Sequence, residues 1–265
     1  MFLSEIVSCR RDSTSGHLAA YILDHLEEIK HDSIRDLSAK THTSISSISR
    51  FCREIGMRDF AELKELIEST TLKFETCSTA QTPPEQLDDY VTAVQDSLDR
   101  VRKSIDMEKL YQLAGDIQAY SNVATFGMLK AETVAMNLQS DLTMLGKKCI
   151  TKLRMAEQAR FLESATPADL IIIFSYTGIY FDYGMPRSSA GARAQRPKIY
   201  FITSDPEAKH SNLYDEVIWF DSRQNQVSHP YQLQLVGSLI AQCYAHLLQR
   251  VESSGNEPAL PASPS

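Results

Sequence analysis

Between Thr43 and Arg53 the chain sets small hydroxyls and guanidinium groups along one side of a helical repeat: Thr43, Ser44, Ser46, Ser47 and Ser49, then Arg50 and Arg53. Hydroxyls at the start of a helix let it sit deep in the major groove of DNA, and arginines one turn later reach phosphate or a guanine edge. This is the chemistry of recognition, in which no bond is made or broken. Candidates for proton transfer between adjacent carbons are fewer: Glu132, His210 and His229. Glu132 opens an expected helix, where a carboxylate suits the positive helix end, and both histidines fall in polar connecting segments. The sequence carries no recognisable catalytic triad, metal-ligand spacing or complete glycine-rich loop, so no catalytic residue, metal or cofactor is expected.

The recognition residues need a helix to carry them. Ile45, Ile48, Cys52 and Ile55 recur at helical spacing, with Phe51 widening the stripe, so this face is expected to pack inward. Ser44 stands where an N-cap belongs, and Gly56 where the helix should end. A short helix over residues 34–41 and a tight turn precede it. Residues 17–30 predict a support helix through Leu18, Tyr21, Ile22, Leu26 and Ile29, and residues 58–72 a closing helix through Phe60, Leu63, Leu66 and Ile67. The first domain is thus expected to be an all-α helix-turn-helix bundle over residues 1–73, with a possible short helix at Leu3, Ile6 and Val7.

Residues 74–86 are polar, contain Pro83-Pro84 and read as a linker. Helices are expected from about residue 87 to 104 and from 107 to 119; their spacing alone leaves open whether they brace a domain or pair two copies. From Asn122 the rhythm changes to short apolar runs at 123–126, 148–150, 170–174, 199–202 and 217–220, with helical stretches at 132–145, 156–164 and 231–251. Continuous apolar runs are strands buried on both faces, which predicts an α/β three-layer domain with a five-stranded parallel sheet over residues 87–251. Residues 252–265, rich in Ser, Pro and Glu, are expected to be a disordered tail.

Composition narrows the function. At 265 residues the chain can hold a small and a medium domain, and 43% hydrophobic with 23% charged residues is ordinary for a globular protein. No apolar run approaches a membrane span and no signal-peptide core stands at the start, so a cytoplasmic protein without a membrane partner is expected. Five scattered cysteines without a C-x-x-C pair predict buried free thiols. A net charge of −7 argues against a nonspecific nucleic-acid binder. A specific reader needs only a local positive face, and residues 31–64 hold six Lys/Arg against five Asp/Glu. Such a balance predicts modest affinity per protomer, hence a homodimer or higher homo-oligomer on a double-stranded DNA operator.

The stretch from Ile34 to Lys64 resembles the helix-turn-helix of the RpiR/MurR family of bacterial transcription regulators. That pattern is Ile-x-x-Leu-Ala, a Ser-initiated second helix, then Arg-Phe-Cys, Leu-Gly-Phe and Phe-x-x-Leu-Lys. Here Ser38 replaces the Ala, His42 the turn Gly, and Ile55-Gly56-Met57 the Leu-Gly-Phe. His enters the left-handed region more readily than most non-Gly residues, so the turn survives this change.

The resemblance implies that residues 107–250 form a sugar isomerase (SIS) domain, flavodoxin-like in strand order, that senses phosphosugars between two loops at the switch point of its sheet. The second loop survives as Ser175-Tyr176-Thr177-Gly178, with Ser175, Thr177 and Gly178 as its implied ligand-binding residues. In the first loop, normally Gly-x-Gly-x-Ser, Gly127 remains, Leu129 stands at the second Gly and Ala131 at the Ser; Lys130 offers a replacement charge. Thr203 and Ser204, after the fourth strand, could add hydroxyls. Three readings stay open at this point: a phosphosugar sensor with an altered cradle, a sensor for another small anionic metabolite, and a pocket serving only folding and association. An SIS-type isomerase with an accessory helical domain is the competing class.

Overall fold

The computed structural model describes residues 13–69, 74, 76–182, 185 and 196–255. The short helix expected at Leu3 to Val7 and the tail beyond residue 255 lie outside these. The first domain contains α1 (Thr14–Asp24), the single turn α2 (Leu26–Ile29), α3 (Ile34–Thr41), α4 (Ile45–Glu54) and α5 (Phe60–Ser69). The one support helix expected over 17–30 is therefore interrupted. The interruption is at His25 (φ −127°), whose ring stacks on Tyr21 at 4.1 Å and whose Nδ1 lies 2.9 Å from the Tyr21 carbonyl oxygen. A side chain competing for the helix's own carbonyls is the local cause of the break.

The second domain runs α6 (Pro83–Ser104), α7 (Met107–Ala119), β1 (Asn122–Gly127), α8 (Lys130–Met144), β2 (Cys149–Thr151), α9 (Met155–Ser164), β3 (Asp169–Phe174), β4 (Lys198–Thr203), β5 (Glu216–Trp219) and α10 (Ser228–Gly255). Helix α6 begins four residues before the expected 87, inside the segment read as linker. Pro83 and Pro84 occupy its first turn, where proline's missing N–H costs no helical bond. All five strands are parallel in the order β2-β1-β3-β4-β5, the flavodoxin-like arrangement.

Alternate strand residues feed two cores. Val123, Leu170, Ile172, Phe174, Tyr200 and Ile202 pack with α7, α8 and α10. Ala124, Phe126, Ile171, Ile173, Ile199 and Phe201 pack with α9, Tyr180, Phe181 and Tyr214, and this core is continuous with that of the helical domain through Leu37, Ile48 and Phe51. The period-2 split is what a sheet covered on both faces requires. Of the cysteines described, Cys52, Cys149 and Cys243 are buried, but Cys77 is exposed, because the segment that carries it lies on the surface.

Candidate functional site

Helix α4 is set by the turn that leads into it and by its N-cap. At the end of α3, His42 adopts φ 51° and ψ 33°, the left-handed conformation that the turn demands. Ser38 then does what Ala could not: its hydroxyl donates to the Thr43 carbonyl at 2.6 Å, while the Thr43 N–H bonds back to the Ser38 carbonyl at 3.2 Å. The two departures from the family pattern meet in one turn. Ser44 caps α4, its hydroxyl accepting from the Ser47 N–H at 3.1 Å and lying within 2.8 and 2.9 Å of the Ser46 and Ser47 hydroxyls.

Ile48, Phe51, Cys52 and Ile55 are buried, and the thiol of Cys52 is pushed up to about 11 by that burial. Ile45 is not: it is 44% exposed, because the first position of α4 falls on the outer side beside the capping serines. Ser44, Ser46, Arg50 and Arg53 are exposed, and Thr43, Ser47 and Ser49 are partly so. Arg50 lies 3.7 Å from Glu54, a pair loose enough to open toward another anion.

At the sheet's C-terminal edge, the loop after β1 keeps the backbone of its missing glycine. A Cβ on Gly127 would stand 2.5 Å from the Ala131 carbonyl oxygen, so α8 can begin this close only over a glycine. Leu129 adopts φ 57° and ψ −122°, a glycine conformation, and its side chain is about half exposed. Lys130 is exposed, and its ammonium has no ion-pair partner among the described residues.

The second loop has its polar groups engaged. Ser175 is buried, and its hydroxyl accepts from the Tyr180 N–H at 3.2 Å. Thr177 is exposed. Gly178 has φ +82°, and an added Cβ there would stand 2.8 Å from the Cβ of Asp205, whose carboxylate leans on this loop. The hydroxyls of Thr203 and Ser204 are buried and donate to the Tyr176 carbonyl at 3.3 and 2.7 Å. The Asp205 carboxylate thus stands beside the loop, and the Thr203 and Ser204 hydroxyl protons go to backbone, while Ser175 uses its oxygen and not its proton.

Three residues that sequence reasoning passed over hold this edge together. Gln158, fully buried on α9, donates to the carbonyls of Gly127 at 2.9 Å and Lys152 at 2.7 Å, and accepts from the Tyr180 hydroxyl at 2.7 Å. Gln232, also fully buried, donates to the carbonyls of Ser97 and Asp221 and accepts from Tyr176. The available signal was a glutamine at an apolar stripe position, between Met155 and Leu162 in one helix and before Leu233 and Val236 in the other. Tyr176 also stacks on His229 at 4.2 Å, and its hydroxyl meets that of Ser222.

His229 has its Nε2 buried without a hydrogen-bond partner among the described residues. Burial, reinforced by the Lys130 charge, holds its pKa down to about 4. Of the other proton-transfer candidates, Glu132 is buried in the first turn of α8 and His210 is exposed.

Lys130 also opens onto a cavity of about 390 Å³. Phe74, Thr76, Cys77 and Ser78 of the linker form one wall, Gln86 and Tyr90 of α6 another, and Gln226, Val227 and Pro230 a third. Of the sequence-predicted ligand residues, only Lys130 lines it.

Residues 12–71 match the family model of the helix-turn-helix domain, rpiR family. An uncharacterized HTH-type transcriptional regulator of Thermotoga maritima is 25% identical over 226 residues, covering 79% of this chain and 77% of its own. Among solved structures, the Vibrio vulnificus NanR protein complexed with ManNAc-6P covers 96% of this chain and 93% of its own, at 18% identity and a TM-score of 0.52. The c3406 protein of E. coli CFT073 aligns over 67% of this chain and all of its own, at 13% identity and a TM-score of 0.52. At these identities the two structures speak for the fold.

Proposed function

We propose, from an rpiR-family helix-turn-helix domain at residues 12–71 joined to an SIS-type sheet domain, that this chain is a sequence-specific DNA-binding transcriptional regulator controlled by a small anionic metabolite. One observation carries the reading. Helix α4 commits Ile48, Phe51 and Cys52 to the core, so that Ser46, Arg50 and Arg53 are left exposed on the outward face, with Ser49 partly so. Exposed Ile45 adds an apolar contact of the kind a thymine methyl group takes. The balanced charge of the reader calls for two heads, so the working form is a homodimer or higher homo-oligomer, on half-sites about one helical turn apart.

A phosphosugar heads the list of effectors, since the NanR structure holds ManNAc-6P. The Thr203 and Ser204 hydroxyl protons, donated to the Tyr176 carbonyl, favour a second reading, a sheet domain that only associates. Among the described residues no helix is long and apolar enough to cross a membrane; with DNA as the partner, the protein acts in the cytoplasm.

Selection of an operator from random duplex DNA, followed by titration with the Arg50→Ala protein, tests the reading. If Arg50 reads a base, affinity falls about 5- to 150-fold, or ~1–3 kcal/mol. Failure to enrich any sequence refutes a specific reader. Catalysis forms no part of the proposal: phosphosugar isomerase turnover abolished by Glu132→Gln would replace it with the enzyme reading.

A further inference from the structure

The linker cavity offers what the expected phosphate loop does not. Lys130 is the one charged residue in its described lining, and it stands there without an ion pair. Phe74, 83% exposed, presents an aromatic ring to the cavity, and Tyr90, whose hydroxyl bonds to that of Tyr231 at 2.9 Å, supplies a second. A volume near 390 Å³ suits one small metabolite. A cation and aromatic and apolar walls around one cavity define a site for a small organic anion, with the charge at one end and a sugar-sized body at the other.

Building on the sensor reading above, we infer that the effector is such an anion and that it binds in this cavity, with its charged end on Lys130, rather than in the loop Ser175 to Gly178. The segment joining the DNA reader to the sheet domain is then itself a wall of the effector site. Part of that wall is already fixed. The Ser78 hydroxyl donates to Asp89 at 2.5 Å and accepts from the Ala80 N–H at 3.0 Å, and the Gln86 amide donates to the Ala80 carbonyl at 3.0 Å. An effector that contacts Phe74 more closely in one arrangement of the reading heads than in another shifts their equilibrium by that difference in contact free energy.

The test uses the full chain, titrated by calorimetry with inorganic phosphate, N-acetylmannosamine 6-phosphate, glucose 6-phosphate and gluconate, with glucose as neutral control. Cys77, exposed on the same wall, is followed in parallel by its alkylation with iodoacetamide, mapped by peptide mass. The expected result is that at least one anion binds and slows Cys77 alkylation severalfold, that Lys130→Ala and Phe74→Ala each weaken binding tenfold or more, and that Thr177→Val leaves it within about twofold. Binding abolished by Thr177→Val but unaffected by Lys130→Ala, with Cys77 unprotected, keeps the sensor and overturns this site. No binding by any of the anions overturns the sensor reading and this inference with it.

Discussion

Gln158→Met separates a polar network from the packing around it. Methionine keeps the length and much of the volume of glutamine but removes one acceptor and both donors. Three groups lose their partner: the buried Tyr180 hydroxyl and the carbonyls of Gly127 and Lys152. Each buried group left unpaired costs about 1–3 kcal/mol. Taking the low end for the carbonyls, and allowing ~1 kcal/mol back for the more apolar side chain, the sheet domain should lose roughly 2–4 kcal/mol. That is a large share of a typical stability of about 5–15 kcal/mol. Trp219 on β5 is the only tryptophan, so its fluorescence during urea unfolding reports this domain. The midpoint should fall with little change in slope. Tyr180→Phe removes the phenol that Gln158→Met strands, so the double variant should be more stable than the sum of the singles predicts, by ~1 kcal/mol or more. A loss under about 1 kcal/mol for Gln158→Met, or strict additivity, would refute the network.

Two further outcomes follow from the same edge of the sheet. At position 129, where φ is 57° and ψ −122°, Leu129→Gly should be more stable than Leu129→Ala by about 1 kcal/mol, the reverse of their usual order, because only glycine relieves a backbone strain of ~1–3 kcal/mol; paired urea melts check it, and alanine the more stable would contradict the strain. His229 has a folded pKa of about 4 against 6.5 for the free side chain, so below pH 6.5 the unfolded chain takes a proton that the folded one refuses. Stability should therefore fall by about 2 kcal/mol between pH 7.5 and pH 5 from this group alone. His229→Phe, which keeps an aromatic ring against Tyr176, should be less sensitive over that window by the same amount, and parallel curves for the two proteins would sink the assignment.

The fold was legible wherever a single element carried its own pattern. Ile48, Phe51 and Cys52 announced α4, and the apolar run Leu170 to Phe174 announced a buried strand. Errors came where local chemistry has two meanings. Pro83-Pro84 breaks a helix from within but begins one as readily, and here it begins one. Ile45 fits the apolar stripe by spacing, yet at the first position of the helix it has no neighbouring turn to bury it. The candidate site was far less legible. Its cavity joins residues 74, 76–78, 86, 90, 130, 226, 227 and 230, and no spacing rule links segments that far apart. The hydrogen bonds of Ser175 to the Tyr180 N–H and of Ser204 to the Tyr176 carbonyl join groups that only the folded chain brings near.

Helix α9 joins the two halves of the problem. At its N-terminus Arg154 lies 3.8 Å from Glu54, the last residue of the reading helix, and Glu54 also accepts from Ser15 at 2.6 Å and pairs loosely with Arg50. One turn on, Gln158 grips the carbonyl of Gly127, where the loop bearing Leu129 and Lys130 begins. A ten-residue helix packed on both α4 and the sheet cannot bend to absorb a small shift at one end, because close-packed interiors move in discrete bodies. A run of direct contacts thus leads from the carboxylate beside Arg50, through Arg154 and Gln158 on one helix, to the backbone from which the loop bearing Leu129 and Lys130 departs.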